Sequence, residues 1–249
     1  MLIYLTVIRF SRMLEVPAFI SYTFIAITIT VLFFMVAAVD QATPKKTNFT
    51  ATIVGTILIV WLFIVAVGSF YGFFLDYEAR PPRLLIVFVI NTLLIIIVFA
   101  SGLSRRIIGR MSVTTLTYVH IIRVPVELVL WWLANEGKID HQLTFEGSNF
   151  DILMGITAPF AAIFLVGSRS KSRFAAIAWN VIGIGMLANI VIMAIRATPY
   201  FYDPSQFADP NIAVFYFPLI WLPSFVVPAV LFSHLASLYL LFRMKPEVY

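Results

Sequence analysis

Long apolar runs alternate with short polar segments along the chain, and seven of them suggest membrane-spanning helices. They cover approximately residues 15–39, 51–75, 84–101, 111–135, 152–166, 174–195 and 214–242. The fifth run is short and the seventh is interrupted by prolines, but both are continuous in hydrophobicity. The pattern predicts an all-α polytopic membrane protein, in which residues 1–249 form a single domain of seven transmembrane helices.

Composition supports a lipid bilayer as the environment of the chain. Of its 249 residues, 61% are hydrophobic and only 12% are charged. The net charge of +5 lies mostly in short loops, where membrane topology explains it better than nucleic acid does, so no nucleic-acid partner is expected. The absence of cysteine excludes disulfides and thiolate metal sites.

The basic residues between the runs predict an orientation. With the N-terminus outside, the inner loops and tail hold ten Lys and Arg residues and the outer side holds six. Because positive residues favour the cytoplasmic side, the N-terminus is predicted outside and the C-terminus in the cytoplasm. The N-terminal segment, residues 1–14, is expected to lie along the interface or to extend the first helix.

The fourth run carries three ionisable residues near its middle. His120, Arg123 and Glu127 are separated by three and four positions, so they fall on one face of a helix. An ionisable group in hydrocarbon costs roughly 2.5–3.5 kcal/mol on insertion scales. These side chains therefore need partners or a wet cavity, and Arg123 is expected to pair with a carboxylate such as Glu127.

Distances along the helices predict a polar layer around this stripe. At a rise of about 1.5 Å per residue, His120 lies about 15 Å from Arg110, and His234 about 14 Å from Arg243. Asn91 and Asn189 fall at the level of Arg123 and Glu127 on the same scale. The expected ligand-binding or proton-coupling residues are His120, Arg123, Glu127, Asn91, Asn189 and His234.

The long polar segment after the fourth run carries further candidates. Glu146, Asn149 and Asp151 could frame an outward-facing mouth together with the loop from Tyr200 to Asp209. The same residues would equally serve as a turn and as the N-cap of the fifth helix, with Asn149 or Asp151 as the capping residue, and capping is the favoured interpretation.

Three kinds of function fit these residues. The leading hypothesis is a protein that binds or transports a small polar or ionic ligand, with protons coupled through Glu127 or His120. The second is a redox or sensor protein in which His120 and His234 ligate haem. The third is a structural or accessory subunit, assembled with itself or with a partner subunit, in which the charges fix packing. No constellation of a hydrolase or metalloenzyme is evident, so an enzyme is disfavoured.

Three sequence segments in the second half of the chain resemble those of a known family. They are Tyr118-Val119-His120-Ile121-Ile122-Arg123-Val124-Pro125-Val126-Glu127, the segment from Leu143 to Leu153, and the segment from Asn211 to Leu235. Over about residues 112–242 the chain resembles bacterial seven-helix integral membrane proteins without an assigned function. The resemblance implies a bacterial inner membrane location and adds no chemistry.

Two better-known seven-helix groups share the predicted orientation. Microbial rhodopsins hold retinal on a lysine in their last helix, and none of the five lysines here lies inside a run, which excludes a retinal Schiff base. Sugar transporters built from two three-helix repeats place prolines where Pro17 and Pro159 stand. Their Pro-Gln signature is missing here. In those transporters the fourth helix is a passive linker between the repeats, which would not need the charges that the fourth run carries.

Overall fold

A computed structural model describes residues 14–43, 49–102, 106–167 and 172–243. Within these ranges all regular secondary structure is helical, as predicted. Six of the described helices are long and apolar enough to cross a membrane, and a seventh apolar helix, Asp151–Leu165, is shorter. The seven are Ala18–Ala42 (α1), Phe49–Phe70 (α2), Arg83–Ala100 (α3), Val113–Asn135 (α4), Asp151–Leu165 (α5), Arg173–Arg196 (α6) and Leu222–Arg243 (α7).

Part of the sequence-based orientation argument lies outside the described residues. This holds for the N-terminal segment up to residue 13 and for eight of the basic residues in the count. They are Arg9, Arg12, Lys45, Lys46, Arg105, Arg169, Lys171 and Lys245.

Prolines divide three of the helices into segments. In α4, a 3₁₀ segment at Val119–Ile122 joins the α-helices Val113–Tyr118 and Arg123–Asn135 and ends three positions before Pro125. In α5, the π-helical turn Ala161–Leu165 follows Pro159. Proline lacks the N–H that continues an α-helix, so the helical hydrogen bonding has to adjust around it.

The last helix begins later than the apolar pattern predicts. Residues 214–220 lie in a 3₁₀ turn, Ala213–Phe215, a bend and further turns, and α7 starts only at about the π-helical turn Leu222–Val226. Pro218, Pro223 and Pro228 supply no helical N–H groups, although the segment is apolar throughout. The carbonyl of Ser224, which Pro228 cannot bond, accepts a hydrogen bond from Trp61 Nε1 at 2.9 Å.

The helices differ in how far they are enclosed. In the most apolar 18-residue stretch of each helix, 61% of residues are buried in α4 and 50% in α7, against 6% in α3. A large apolar core joins α1 to α4 and α7 around Phe24, Val129 and Phe225. The helix that carries the charged stripe is therefore an inner helix, and α3 is peripheral.

The loops at one end of the bundle are tied together. Asp140, in the loop after α4, accepts hydrogen bonds from the backbone N–H groups of Ala208 and Asp209, in the loop between α6 and α7. Asn189 on α6 donates to the carbonyl of Ser148 at 2.9 Å. These contacts hold the ends of α4, α5 and α6 in register beside the buried polar residues.

Candidate functional site

A buried ion pair joins α4 to the start of α5. Arg123 Nη1 lies 2.9 Å from Asp151 Oδ1, and the two side chains are only 3% and 8% exposed. Arg123 therefore pairs with Asp151, not with Glu127 as its helical spacing suggested. Asp151, expected at an outer mouth, is enclosed, because α5 packs against α4 along its first turns.

Arg123 also begins a chain of hydrogen bonds across α7 and α6. Its Nη2 lies 3.1 Å from His234 Nε2, and His234 Nδ1 lies 2.9 Å from Asn180 Oδ1. A guanidinium can only donate, so Nε2 accepts and Nδ1 carries the proton that goes to Asn180. The Asn180 amide then donates to the carbonyl of Ala176 at 2.9 Å. His234 is held in one tautomer by partners on both sides.

Two glycines allow the helices to approach this close. A Cβ added to Gly183 on α6 would stand 2.4 Å from the His234 ring, and one added to Gly155 on α5 would stand 2.9 Å from the backbone nitrogen of Val124. Both distances are shorter than real Cβ contacts. Glycine at these positions is what brings α5 against Arg123 and α6 against His234.

His120 stacks on His234, with ring centroids 3.8 Å apart and planes 23° apart. Trp179 lies beside both rings, 5.3 Å from His120 and 5.6 Å from His234. Neither ring nitrogen of His120 has a hydrogen-bond partner among the described residues. The distances along the helices predicted only that the two histidines share a level, and the structure stacks their rings face to face.

This stacking does not fit haem ligation. Axial ligation requires each imidazole to point a ring nitrogen at an iron held between the two rings. Here the ring faces are in contact, and both nitrogens of His234 are engaged by Arg123 and Asn180. The residues present do not form a bis-histidine haem site.

Glu127 lies one helical turn beyond Arg123 and has a different partner. Its Oε1 accepts a hydrogen bond of 2.6 Å from Asn149 Nδ2, which also bonds the carbonyl of Leu143 at 3.0 Å. Asn149 Oδ1 in turn accepts from the backbone N–H of Asp151, in a turn just before α5. The N-cap of α5 is Phe150, which makes no side-chain cap hydrogen bond, so the expectation that Asn149 or Asp151 caps this helix is wrong. Glu127 Oε2 is buried and has no hydrogen-bond partner among the described residues.

The structure places three of the predicted residues apart from this cluster. Asn91 on α3 bonds the carbonyl of Val87 in its own helix. Asn189 is exposed and serves the loop contact described above. Glu146 is about half exposed and lies 3.6 Å from His141, which is also on the loop. The distance of a residue along its helix indicates its depth in the bundle, but it does not show the direction in which its side chain points.

The cluster has an imbalance of charge. Its buried charged groups, among the described residues, are Arg123 and the carboxyl groups of Asp151 and Glu127, with two histidines beside them. Arg123 compensates Asp151 directly. One carboxylate is thus in excess, and it needs a proton or a cation to be tolerated in a buried, largely apolar interior.

A cavity of about 110 Å³ adjoins the two carboxyl groups. Apolar side chains of α3, α4, α6 and α7 make most of its wall, among them Phe88, Leu130 and Val191. Its polar lining residues are Glu127, Asp151, Thr198 and Asn211. Asn211 is 2% exposed, and its Oδ1 has no hydrogen-bond partner among the described residues.

A larger cavity, of about 440 Å³, lies between α1, α2, α3 and α7. Asn91 and the indole of Trp61 are the polar groups of an otherwise apolar lining. This cavity shares no lining residue with the cavity beside Glu127 and has no charged group to bind an ion. The smaller cavity beside Glu127 is therefore the candidate site.

Asn180, Gly155, Gly183 and Asn211 belong to the site but were not predicted. Asn180 lies about 10 Å from Arg173 along α6, close to the level of His234, whereas Asn189 lies about 24 Å away. The same distances could therefore have favoured Asn180. No signal in the sequence separates Gly183 from its neighbour Gly185, because only the packing of α6 distinguishes them.

Comparison with known families gives one match. A family model described as a domain of unknown function (DUF8737) matches residues 81–242, which is more than half of the chain. The matched range contains α3 to α6, all of α7 except Arg243, and every residue of the candidate site. No curated protein and no solved structure matches the chain.

Proposed function

We propose that this chain, which belongs to the DUF8737 family, binds a small polar or ionic ligand at the buried site and carries it across a membrane, exchanging a proton at Glu127. The single observation that supports this is the carboxylate in excess. A site that served only to join helices would need no more than Arg123 and Asp151, which balance each other.

The position of Glu127 agrees with exchange of a proton or cation. One carboxylate oxygen is fixed by Asn149, whereas the other has no partner among the described residues, and the side chain lines a cavity. Intramembrane carboxyl groups with such surroundings commonly mark proton or ion paths. Arg123, in contrast, is held by Asp151 and His234 and acts as a fixed charge beside the path.

We further propose that all seven helices cross the inner membrane of a bacterium, with the N-terminus outside. Ten basic residues on the proposed inner side against six outside support this orientation. Because the chain has no cysteine, single cysteines can report topology directly. Lys138→Cys should react with an impermeant maleimide from outside and Arg110→Cys only after the cells are opened, and the reverse pattern would overturn the orientation.

Proton flux in reconstituted vesicles tests the proposed function. Vesicles loaded with a pH-sensitive dye and given a potassium diffusion potential should acidify faster with the protein than without it. Glu127→Gln should reduce the rate to that of protein-free vesicles, because glutamine cannot exchange a proton. Glu127→Gln leaves Arg123 balanced by Asp151, so the variant is expected to fold.

Glu146→Gln is the matched control, since Glu146 is an exposed carboxylate on a loop. It should conduct like the wild type. A wild-type rate equal to that of protein-free vesicles, or a Glu127→Gln variant as active as the wild type, would overturn the proposal. A Glu127→Gln variant that is as active as the wild type but assembles less well would favour a structural or accessory subunit.

A further inference from the structure

We infer that the cavity beside Glu127 takes a small primary alkylammonium ion, with the ammonium group at Glu127 and the hydrocarbon chain against the apolar wall. This inference rests on the proposed function, because it names the class of ligand that the same site would bind.

The polar atoms that the cavity leaves without partners determine the polarity of the ligand. Glu127 Oε2 and Asn211 Oδ1 are buried oxygens of lining residues without a hydrogen-bond partner among the described residues. Both are hydrogen-bond acceptors. Of the other two polar lining residues, Asp151 is paired with Arg123, and Thr198 already donates its hydroxyl hydrogen to the carbonyl of Ile195. A complementary ligand must therefore supply donors, and an ammonium group supplies three of them.

Charge leads to the same conclusion. The buried cluster carries one carboxylate more than its guanidinium compensates. A monovalent cation balances it, whereas a carboxylate or phosphate ligand would add like charge in a region of low dielectric constant. An anion would also need hydrogen-bond donors from the cavity wall, and Arg123, the nearest cationic residue of the cluster, is not among the residues that line the cavity.

The apolar wall and the volume indicate a short hydrocarbon chain. Leucine, isoleucine, valine and phenylalanine side chains supply most of the lining. An apolar cavity of about 150 Å³ holds benzene in another protein, so about 110 Å³ corresponds to about four or five non-hydrogen atoms. Propylammonium and butylammonium have this size.

A bare metal ion fits this lining poorly. Calcium takes six to eight oxygen ligands, far more than four polar lining residues among some twenty supply. No group of three or more His, Asp or Glu side chains that could hold a metal ion occurs in the described part of the chain. The hydrocarbon wall, in contrast, would stabilise an alkyl chain by removing it from water.

Isothermal titration of the purified protein in detergent tests this inference. The probes are ammonium, propylammonium, butylammonium and hexylammonium chlorides, with sodium propionate and 1-propanol as controls for charge and chain. We expect binding of propylammonium and butylammonium, weaker binding of ammonium and hexylammonium, and none of propionate or propanol. Glu127→Gln should weaken propylammonium binding about thirtyfold or more, because an ammonium group loses its charged partner, and Glu146→Gln should leave it unchanged.

Ala194→Leu tests whether the apolar wall holds the alkyl chain. Ala194 lines the cavity and carries no functional group, so leucine would fill the space for the alkyl chain and leave Glu127 in place. The variant should lose amine binding and unfold at the wild-type temperature, and amine binding equal to that of the wild type would overturn the inference. Proton flux by the wild type without amine binding would overturn the ligand class alone. Absence of both would overturn the proposed function as well.

Discussion

The region of α2 and α3 differs from the region of α4 to α7 in how its polar side chains are bonded and how far its helices are buried. The difference is clearest between α3 and α4. In α3 the side chains of Asn91 and Thr92 bond carbonyls of their own helix, and only 6% of its most apolar 18-residue stretch is buried. In α4 the corresponding stretch is 61% buried, although its sequence is less apolar. Hydrophobicity thus marks which helices can face lipid, whereas charge marks the one that neighbouring helices must enclose.

This contrast reflects the cost of unpaired charge in apolar surroundings. A leucine is equally well accommodated by lipid and by protein, so an apolar helix such as α2 or α3 has little reason to be central. Arg123 and Asp151 are accommodated only where another polar group meets them. The polar contacts of α4 to α7 therefore determine the packing of that region, and the following experiments test this.

The largest effect is expected from breaking the buried ion pair. Arg123→Leu should reduce the free energy of unfolding by about 3–5 kcal/mol, because it leaves Asp151 buried without its partner. Adding Asp151→Leu should recover most of this loss. Unfolding in mixed detergent measures both variants, and equal losses in the single and double variants would contradict a direct pairing.

A smaller loss is expected from a single methyl group on α6. Gly183→Ala would place Cβ 2.4 Å from His234, so it should destabilise the protein by about 1–3 kcal/mol through overpacking. Gly185→Ala, two residues along the same helix, meets nothing within 4 Å and is the matched control. Equal unfolding temperatures for the two variants would mean that α6 does not pack against His234 as described.

A pH-dependent loss is expected where the connection between α2 and α3 meets the other region. Burial, followed by the neighbouring Tyr216 and Tyr200 hydroxyls, raises the pKa of Tyr77 to about 12. A raised pKa favours the protonated folded state, so the stabilisation is complete below pH 10 and is lost as pH rises through 12. Ultraviolet titration should show a late-ionising tyrosine that is absent from Tyr77→Phe.

The smallest effect is expected for Asn91 on the peripheral helix. Asn91→Leu removes a hydrogen bond within α3 and a polar group from the larger cavity, which holds no charge. The free energy of unfolding should change by about 0.5 kcal/mol or less, and proton flux should be that of the wild type. Loss of proton flux in Asn91→Leu would mean that Asn91 belongs to the functional site, and it would contradict the difference between the two regions.

The sequence predicted more of the fold than of the site. Hydrophobic runs predicted the ends of the helices to within about three residues, with two exceptions. The second run was predicted to reach residue 75, but its helix ends at Phe70. Residues 214–220 were predicted as helix, but they form turns around Pro218 although the segment is apolar. The stripe of His120, Arg123 and Glu127 was predicted from helical spacing, and all three side chains are buried. Their partners were not predicted correctly, because pairing with Asp151 and Asn149 depends on how α5 packs.

The sequence by itself determined that the chain is helical, that most of its helices suit a membrane, and that α4 must be enclosed. These follow from local properties, namely the apolar length of each run and the cost of charge in hydrocarbon. Only the tertiary structure decided that Asp151 compensates Arg123, that His234 lies between Arg123 and Asn180, and that Glu127 is left in excess beside a cavity. The reason is physical: spacing along one helix determines which side chains share a face, but the rotation and close approach of neighbouring helices determine which groups meet.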